Sequence, residues 1–175
     1  MSDERVEVAL VESNRLLDAK KLEEAASLLE SVFDDRNVDV ANLLAYIYSL
    51  TEFRGTNLLK SIELYKIGAT LGNGHSAHGL AGCLRRLGQP QEALSWLEKA
   101  ANLGEDAAAY SAFLHYDGTG NIQVADKYLD MSAAAGNPRA LQRKAIKMLT
   151  GRRGSRNIVP GLFLYFQNIP RLFRV

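Results

Sequence analysis

The chain has 175 residues, of which 47% are hydrophobic and 23% charged, and its formal net charge is +1. These proportions are typical of a globular protein and exclude a chain that is disordered throughout. No run approaches the roughly 18 apolar residues of a membrane-spanning helix, and the acidic opening MSDERVEV does not resemble a secretory signal. We therefore expect a cytoplasmic protein.

Apolar residues recur at helical spacing along the chain, and no segment sustains the period-two alternation of a β-strand. The pattern predicts about ten helices in five pairs, at residues 3–18, 21–33, 38–51, 57–71, 75–87, 90–103, 105–116, 122–135, 138–150 and 158–173. Pro90 and Pro138 suit first helical positions, and Asn137 is expected to cap the helix that follows it.

Part of the chain repeats at a shift of 32 residues. The shift aligns three glycines, three large residues and three small residues: Gly72, Gly104 and Gly136; Leu64, Trp96 and Tyr128; and Gly68, Ala100 and Ser132. The large and small residues share a helix face, so we expect the large ones to fill the space between layers and the small ones to admit a neighbouring helix. The glycines suit the left-handed position after a helix end. Each copy therefore predicts a helical hairpin.

Two copies carry a specific motif, EALSWLEKAANLG from Glu92 and HYDGTGNIQVADKYLDMSAAAGNPRA from His115. They resemble the Sel-one-like repeat, a relative of the tetratricopeptide repeat. The resemblance covers about four fifths of the chain. It implies an all-α, right-handed α-α superhelical solenoid of about five helical hairpin repeats with a concave groove. It also implies an adaptor or assembly scaffold and not a catalyst.

We expect residues 1–156 to form the repeat domain, which would act as a non-catalytic protein-protein interaction adaptor and bind a partner segment in its groove. The groove should be lined from the first helix of each pair, one residue after the small packing positions. The predicted groove residues are Asn42, Tyr46, His78, Arg85, Tyr110, Gln142 and Arg143. No cofactor is expected.

Two places in the sequence carry residue types that are found in metal-binding or catalytic sites. His75, His78 and Cys83 lie close in sequence, but a closed zinc site needs four ligands and no carboxylate or second cysteine is near them. DGTGN at Asp117 lacks the lysine of a phosphate loop and is interpreted as a turn. The sequence therefore predicts no metal site and no catalytic residue, and Cys83 is expected to be a small buried hydrophobe.

Positive charge is concentrated at the C-terminus. The last acidic residue is Asp130, and nine basic residues follow residue 137, against 12 basic and 20 acidic residues upstream. The basic residues either form a solvated cationic face or bind a partner. An acidic protein, an anionic membrane surface and a second copy of the chain are the partners that would fit. The aromatic residues are not interleaved with the basic ones, which argues against nucleic acid.

The segment 157–175, NIVPGLFLYFQNIPRLFRV, is apolar, aromatic and basic. It is interpreted either as a buried closing helix or as an exposed interaction tail. The contact residues predicted for this end of the chain are Arg152, Arg153, Phe163, Phe166 and Phe173. The alternative function is accordingly a peripheral membrane protein that docks on the inner face of the membrane through this segment.

Overall fold

The computed structural model describes residues 3–53 and 55–149, and over these ranges the chain forms nine α-helices and no strand. The helices are α1 (Asp3–Asp18), α2 (Leu22–Ser31), α3 (Val38–Ser49), α4 (Leu58–Thr70), α5 (Gly74–Arg86), α6 (Pro90–Asn102), α7 (Asp106–Gly118), α8 (Ile122–Ala134) and α9 (Pro138–Leu149). The first nine predicted helices are confirmed, with ends that agree within two residues. The tenth, at residues 158–173, lies outside the described residues.

Side-chain caps and glycines fix the helix ends. The Asn137 side chain accepts hydrogen bonds from the backbone amides of Arg139 and Ala140, at 3.0 and 3.1 Å, so its predicted capping role is confirmed. Pro90 and Pro138 open α6 and α9 as predicted. The three aligned glycines, Gly72, Gly104 and Gly136, all have the predicted left-handed backbone, with φ of 84°, 91° and 90°.

The chain divides into two compact units, Met1–Trp96 and Leu97–Val175, with the boundary inside α6. We call them the N-terminal unit and the C-terminal unit. In the N-terminal unit the first helices lie side by side, because α3 contacts both α1 and α5. The second helices bridge them: α2 packs against α1 and α3, and α4 packs against α3 and α5.

Close packing in the N-terminal unit depends on glycine. A Cβ atom added at Gly68 of α4 would lie 2.0 Å from Ser76 Oγ of α5 and 2.8 Å from Val38 Cγ1 of α3. The prediction that the small residues admit neighbouring helices is therefore confirmed at this position. The large residues differ among themselves, since Leu64 and Tyr128 are buried whereas Trp96 is half-buried.

Phe113 of α7 lies in the core of the C-terminal unit and is fully buried. It packs in a cluster with residues of α8, including Tyr128 and Leu129, and with Ala140 of α9. Burying a phenylalanine side chain stabilises a protein by about 1.5–3 kcal/mol. Helix α8 contacts both α7 and α9, so this cluster is where the three helices meet.

Candidate functional site

The first helices of the N-terminal unit form a concave site of about 500 Å³. Two predicted groove residues, Asn42 and Tyr46, lie in its lining. The full lining is Leu10, Asn14, Asp39, Asn42, Leu43, Tyr46 and His75. Three helices therefore contribute to one site: α1, α3 and α5.

Helical spacing explains why Asn42 and Tyr46 share this surface. They are four residues apart on α3, the fifth and ninth positions after its cap Asn37, and so lie one turn apart on the same face. The Ser76 hydroxyl of α5 donates a 2.7 Å hydrogen bond to Asn42 Oδ1. The same hydroxyl lies 2.9 Å from Asn73 Oδ1, so one serine of α5 contacts both amides. Tyr46 is 47% exposed, which is high for a large aromatic side chain.

The structure places the other two predicted groove residues of the N-terminal unit on α5, outside the lining of this site. His78 is half-buried, and Arg85 is exposed near the end of the helix. The exposed His75 lines the site instead. His75 is absent from the predicted groove residues. His75 reaches this site because it lies in the first turn of α5, which packs beside α3.

A second concave site, of about 460 Å³, adjoins the first. Its lining is Asp3, Val6, Asp34, Arg36, Asn37, Val38 and Asp39. Asp39 lines both sites and therefore marks where they meet. Leucine, tyrosine and asparagine side chains form most of the first site. Three carboxylates and one guanidinium line the second.

In the C-terminal unit the predicted groove residues lie on α7 and α9. Tyr110 and Gln142, each the fifth residue after its helix cap, are both half-buried. Arg143 is already engaged within the unit: its guanidinium lies 5.9 Å from the centre of the Phe113 ring and forms a 3.3 Å ion pair with Asp117. These contacts give Arg143 a structural role in addition to its predicted one.

Two exposed apolar residues at equivalent positions of α7 and α9 are absent from the predicted groove residues. Leu114 of α7 is 51% exposed and Ile146 of α9 is 39% exposed. Each is the ninth residue after its cap, the position that Tyr46 occupies in α3. Counting from the cap residues Glu105 and Asn137 would have found them, whereas the predicted set followed the small packing positions.

The positive charge of α9 is largely paired within the C-terminal unit. Lys147 forms ion pairs with Asp126 at 2.9 Å and with Asp117 at 3.7 Å, and only 12% of its side chain is exposed. Lys144 pairs with Asp130 at 3.0 Å. Three of the four basic residues of α9 are thus neutralised by acids of α7 and α8, while Arg139 is exposed. The charge asymmetry in this helix is therefore partly structural.

A polar triad joins successive hairpins of the N-terminal unit. The Tyr48 hydroxyl donates to Glu30 Oε1, and the Lys60 ammonium donates to the same oxygen, at 3.0 Å, and to the tyrosine oxygen. The hydrogen bond from Tyr48, followed by that from Lys60, lowers the pKa of Glu30. Burial, followed by the Glu30 hydrogen bond, raises the pKa of Tyr48.

The C-terminal unit has a related arrangement in which an aromatic ring replaces the lysine. Tyr116 donates to Glu98 Oε1 and stacks on Tyr128, with ring centres 5.7 Å apart and planes 4° from parallel. The hydrogen bond to Glu98, with burial next, raises the pKa of Tyr116 to about 12. Both arrangements hold side chains of three helices in place, and their tyrosines stay neutral at physiological pH.

Cys83 is buried as predicted, and its sulfur lies 3.2 Å from the Ser61 hydroxyl. Burial raises the pKa of its thiol, which keeps it protonated and unreactive at neutral pH. In residues 3–53 and 55–149, no three side chains of His, Cys, Asp or Glu are placed to hold a metal ion. The same residues include no helix that is both long and apolar enough to cross a membrane.

The predicted C-terminal contact residues, Arg152, Arg153, Phe163, Phe166 and Phe173, lie outside the described residues. Their role as a closing helix or as an interaction tail stays a prediction, and so does the division of the chain at residue 157.

Solved structures share this helical-repeat fold. A Sel1 repeat protein from Oxalobacter formigenes is 20% identical, with a TM-score of 0.71 over 93% of this chain and 68% of that one. MamA is 18% identical, with a TM-score of 0.60 over 99% of this chain and 98% of its own. YrrB, described as a TPR protein with an unusual peptide-binding site, is 16% identical, with a TM-score of 0.57 over 96% of this chain and 89% of its own.

The likeness confirms the predicted fold class, an all-α solenoid of Sel1-like or tetratricopeptide-like helical hairpins. No protein-family model and no curated protein matches the chain. The comparisons therefore define the class of fold.

Proposed function

We propose that the chain is a non-catalytic interaction scaffold that binds a segment of a partner protein on its first helices. The observation that carries the proposal is the 500 Å³ concave site of the N-terminal unit, which places an exposed aromatic ring beside two asparagine amides and two leucines. Tyrosine provides a large contact area at low entropic cost, and amides pair with the backbone of an extended segment. The peptide-binding site named for YrrB supports the same use of this fold.

The packing of the site also supports the proposal. Asn42 is oriented by Ser76 across two helices, and both helices are anchored by fully buried leucines, Leu44 and Leu80. A surface held in this way needs little ordering when it binds, so less of the interaction energy is lost.

Peptide selection tests the proposal. Peptides would be selected from a random displayed library on the full chain, and their dissociation constants measured by fluorescence anisotropy. Because an aromatic anchor contributes a large share of binding energy, we expect Tyr46→Ala to weaken binding about tenfold or more. The matched control is Leu59→Ala, which truncates a 65% exposed side chain on α4 of the same unit. Equal affinity of the selected peptides for both variants would contradict the proposal.

Membrane docking through residues 157–175 is a second candidate, favoured by the aromatic and arginine content of that segment. Co-sedimentation with vesicles of anionic and of neutral lipid tests it. A double variant, Phe163→Ala with Phe166→Ala, should lose binding to anionic vesicles, and added salt should weaken the binding of the unaltered chain. Unchanged binding of the variant would count against the candidate.

A further inference from the structure

Two concave sites of the N-terminal unit share Asp39 and form one surface with two chemistries. Leu10, Leu43 and Tyr46 provide apolar area in the first site. Asp3 and Asp34 line the second, and Asp39 belongs to both. Arg36 of the second site and His75 of the first are the basic side chains among the described residues that line the two sites.

The carboxylates of this surface, Asp3, Asp34 and Asp39, are exposed to solvent. The backbone amide of Arg36 donates a 2.9 Å hydrogen bond to Asp34 Oδ1, which lowers the pKa of Asp34. Asp39 is exposed in the first turn of α3, where the helix dipole favours a negative charge. The Asn37 side chain already caps that helix by accepting from the amides of Asp39 and Val40. The Asp39 carboxylate is therefore outside the capping interaction.

We propose that this surface binds an extended segment that carries an apolar side chain and, close to it, a lysine or arginine. The apolar side chain contacts Leu10, Leu43 and Tyr46, and the cation lies against the carboxylates beside Asp39. This inference rests on the proposed function and specifies the chemistry of the partner. An acidic segment is disfavoured at this site, because it would bring like charge against three carboxylates.

The binding mode follows from the distribution of the two chemistries. Apolar contact supplies affinity, and the carboxylates at one end select the partner and fix the direction in which the segment lies. An acidic partner is predicted only for the basic C-terminus. The chemistry proposed here concerns the N-terminal unit and is its opposite.

A set of labelled peptides tests the inference on the full chain. Each peptide keeps a central leucine, and each flanking position is set in turn to Lys, Gln or Glu. Affinity is measured by fluorescence anisotropy at low and high salt. We expect a lysine at one flanking position to give the tightest binding, with two- to fivefold preference over Gln, which is about the size of an exposed charge pair. High salt should reduce that preference.

Matched charge variants locate the cation. Asp39→Asn and Asp34→Asn should each remove part of the two- to fivefold preference for the lysine peptide and leave the affinity for the Gln peptide unchanged. Asp34→Asn keeps the oxygen that accepts from Arg36. Glu63→Gln, at an exposed position of α4, is the control that changes net charge equally.

The outcomes separate this inference from the proposed function. If Tyr46→Ala abolishes binding but Lys, Gln and Glu peptides bind equally, the groove stands and the inference is overturned. A preference for Glu also overturns it. If lysine is preferred but the Asp39 and Asp34 variants behave like Glu63→Gln, the cation lies elsewhere and the inference fails. If none of these peptides binds, the inference fails, while the random-library selection still decides the proposed function.

Discussion

In both units a tyrosine of a first helix donates a hydrogen bond to a glutamate 18 residues earlier, on the preceding second helix. The pairs are Tyr48 with Glu30 and Tyr116 with Glu98. What differs is the third member. In the N-terminal unit it is Lys60, whose ammonium lies 4.2 Å from the centre of the Tyr48 ring. In the C-terminal unit it is the parallel ring of Tyr128.

This difference shows how one repeat position can hold hairpins together by two kinds of chemistry. Lys60 stabilises the charged form of Glu30 and opposes the rise in the pKa of Tyr48. Tyr128 brings no such positive charge, and the hydrogen bond to Glu98, followed by burial, raises the pKa of Tyr116 to about 12. The N-terminal link is therefore sensitive to salt and to acid, and both links weaken in alkali because the pKa of each tyrosine is raised.

The largest expected effect tests whether the two units have separate cores. Phe113→Ala removes the fully buried ring of the C-terminal unit and should cost about 3–5 kcal/mol of unfolding free energy, measured by urea denaturation. Hydrogen exchange should show protection lost in α7, α8 and α9 and retained in α3 and α4. Leu114→Ala, at the neighbouring exposed position, should stay within about 0.5 kcal/mol. Equal loss of protection in both units would contradict the comparison.

The next test concerns close packing in the N-terminal unit. A Cβ atom at Gly79 of α5 would lie 2.5 Å from the Tyr65 ring, whereas one at Gly82 would meet no atom within 4 Å. Gly79→Ala should therefore destabilise the protein by about 1–3 kcal/mol. Gly82→Ala, on the same helix, should stabilise it by about 0.5–1 kcal/mol. Thermal denaturation of the two variants measures both signs. Stabilisation by both would mean that Tyr65 moves aside freely.

The third prediction concerns alkaline pH. The pKa of Tyr116 is raised from 10.0 to about 12 in the folded chain, so the stability that it contributes is complete below pH 10 and is lost as the pH rises toward 12. Tyr116→Phe should lower stability by about 1–2 kcal/mol at neutral pH and weaken its dependence on pH between 10 and 12. The measurement is urea denaturation across that range, with the ultraviolet titration of tyrosinate as a second readout. An unchanged alkaline profile would contradict the assignment.

The helices and their ends were predictable because they depend on local rules. Asn137, Pro138 and Gly136 each act within one turn of a helix end, so the sequence indicates their roles directly. The inward position of small residues was also predictable, since Gly68 recurs in register with Ala100 and Ser132.

The candidate site was predicted only in part, because its lining depends on contacts between helices. Asn42 and Tyr46 follow from helical spacing, but His75 joins them only because α5 lies beside α3. The pairing of Lys147 with Asp126 joins residues 21 positions apart, on different helices. Net charge along the sequence therefore overstated the free positive charge of α9.

The smallest expected effect comes from the lysine that distinguishes the two links. Lys60→Gln removes an exposed ion pair and should cost about 0.2–1 kcal/mol at low salt, and less at high salt, where the pair is screened. The lowered pKa of Glu30 means that its contribution is present above the ordinary pKa of about 4.5 and is lost as the pH falls below it. Part of this acid sensitivity should remain in the variant, because the Tyr48 hydrogen bond is the larger cause of the lowered pKa. Denaturation at pH 3 to 7, at low and high salt, measures both effects. The change in the alkaline profile that Tyr116→Phe causes should be the same with and without Lys60→Gln, and a difference would show that the two links are not independent.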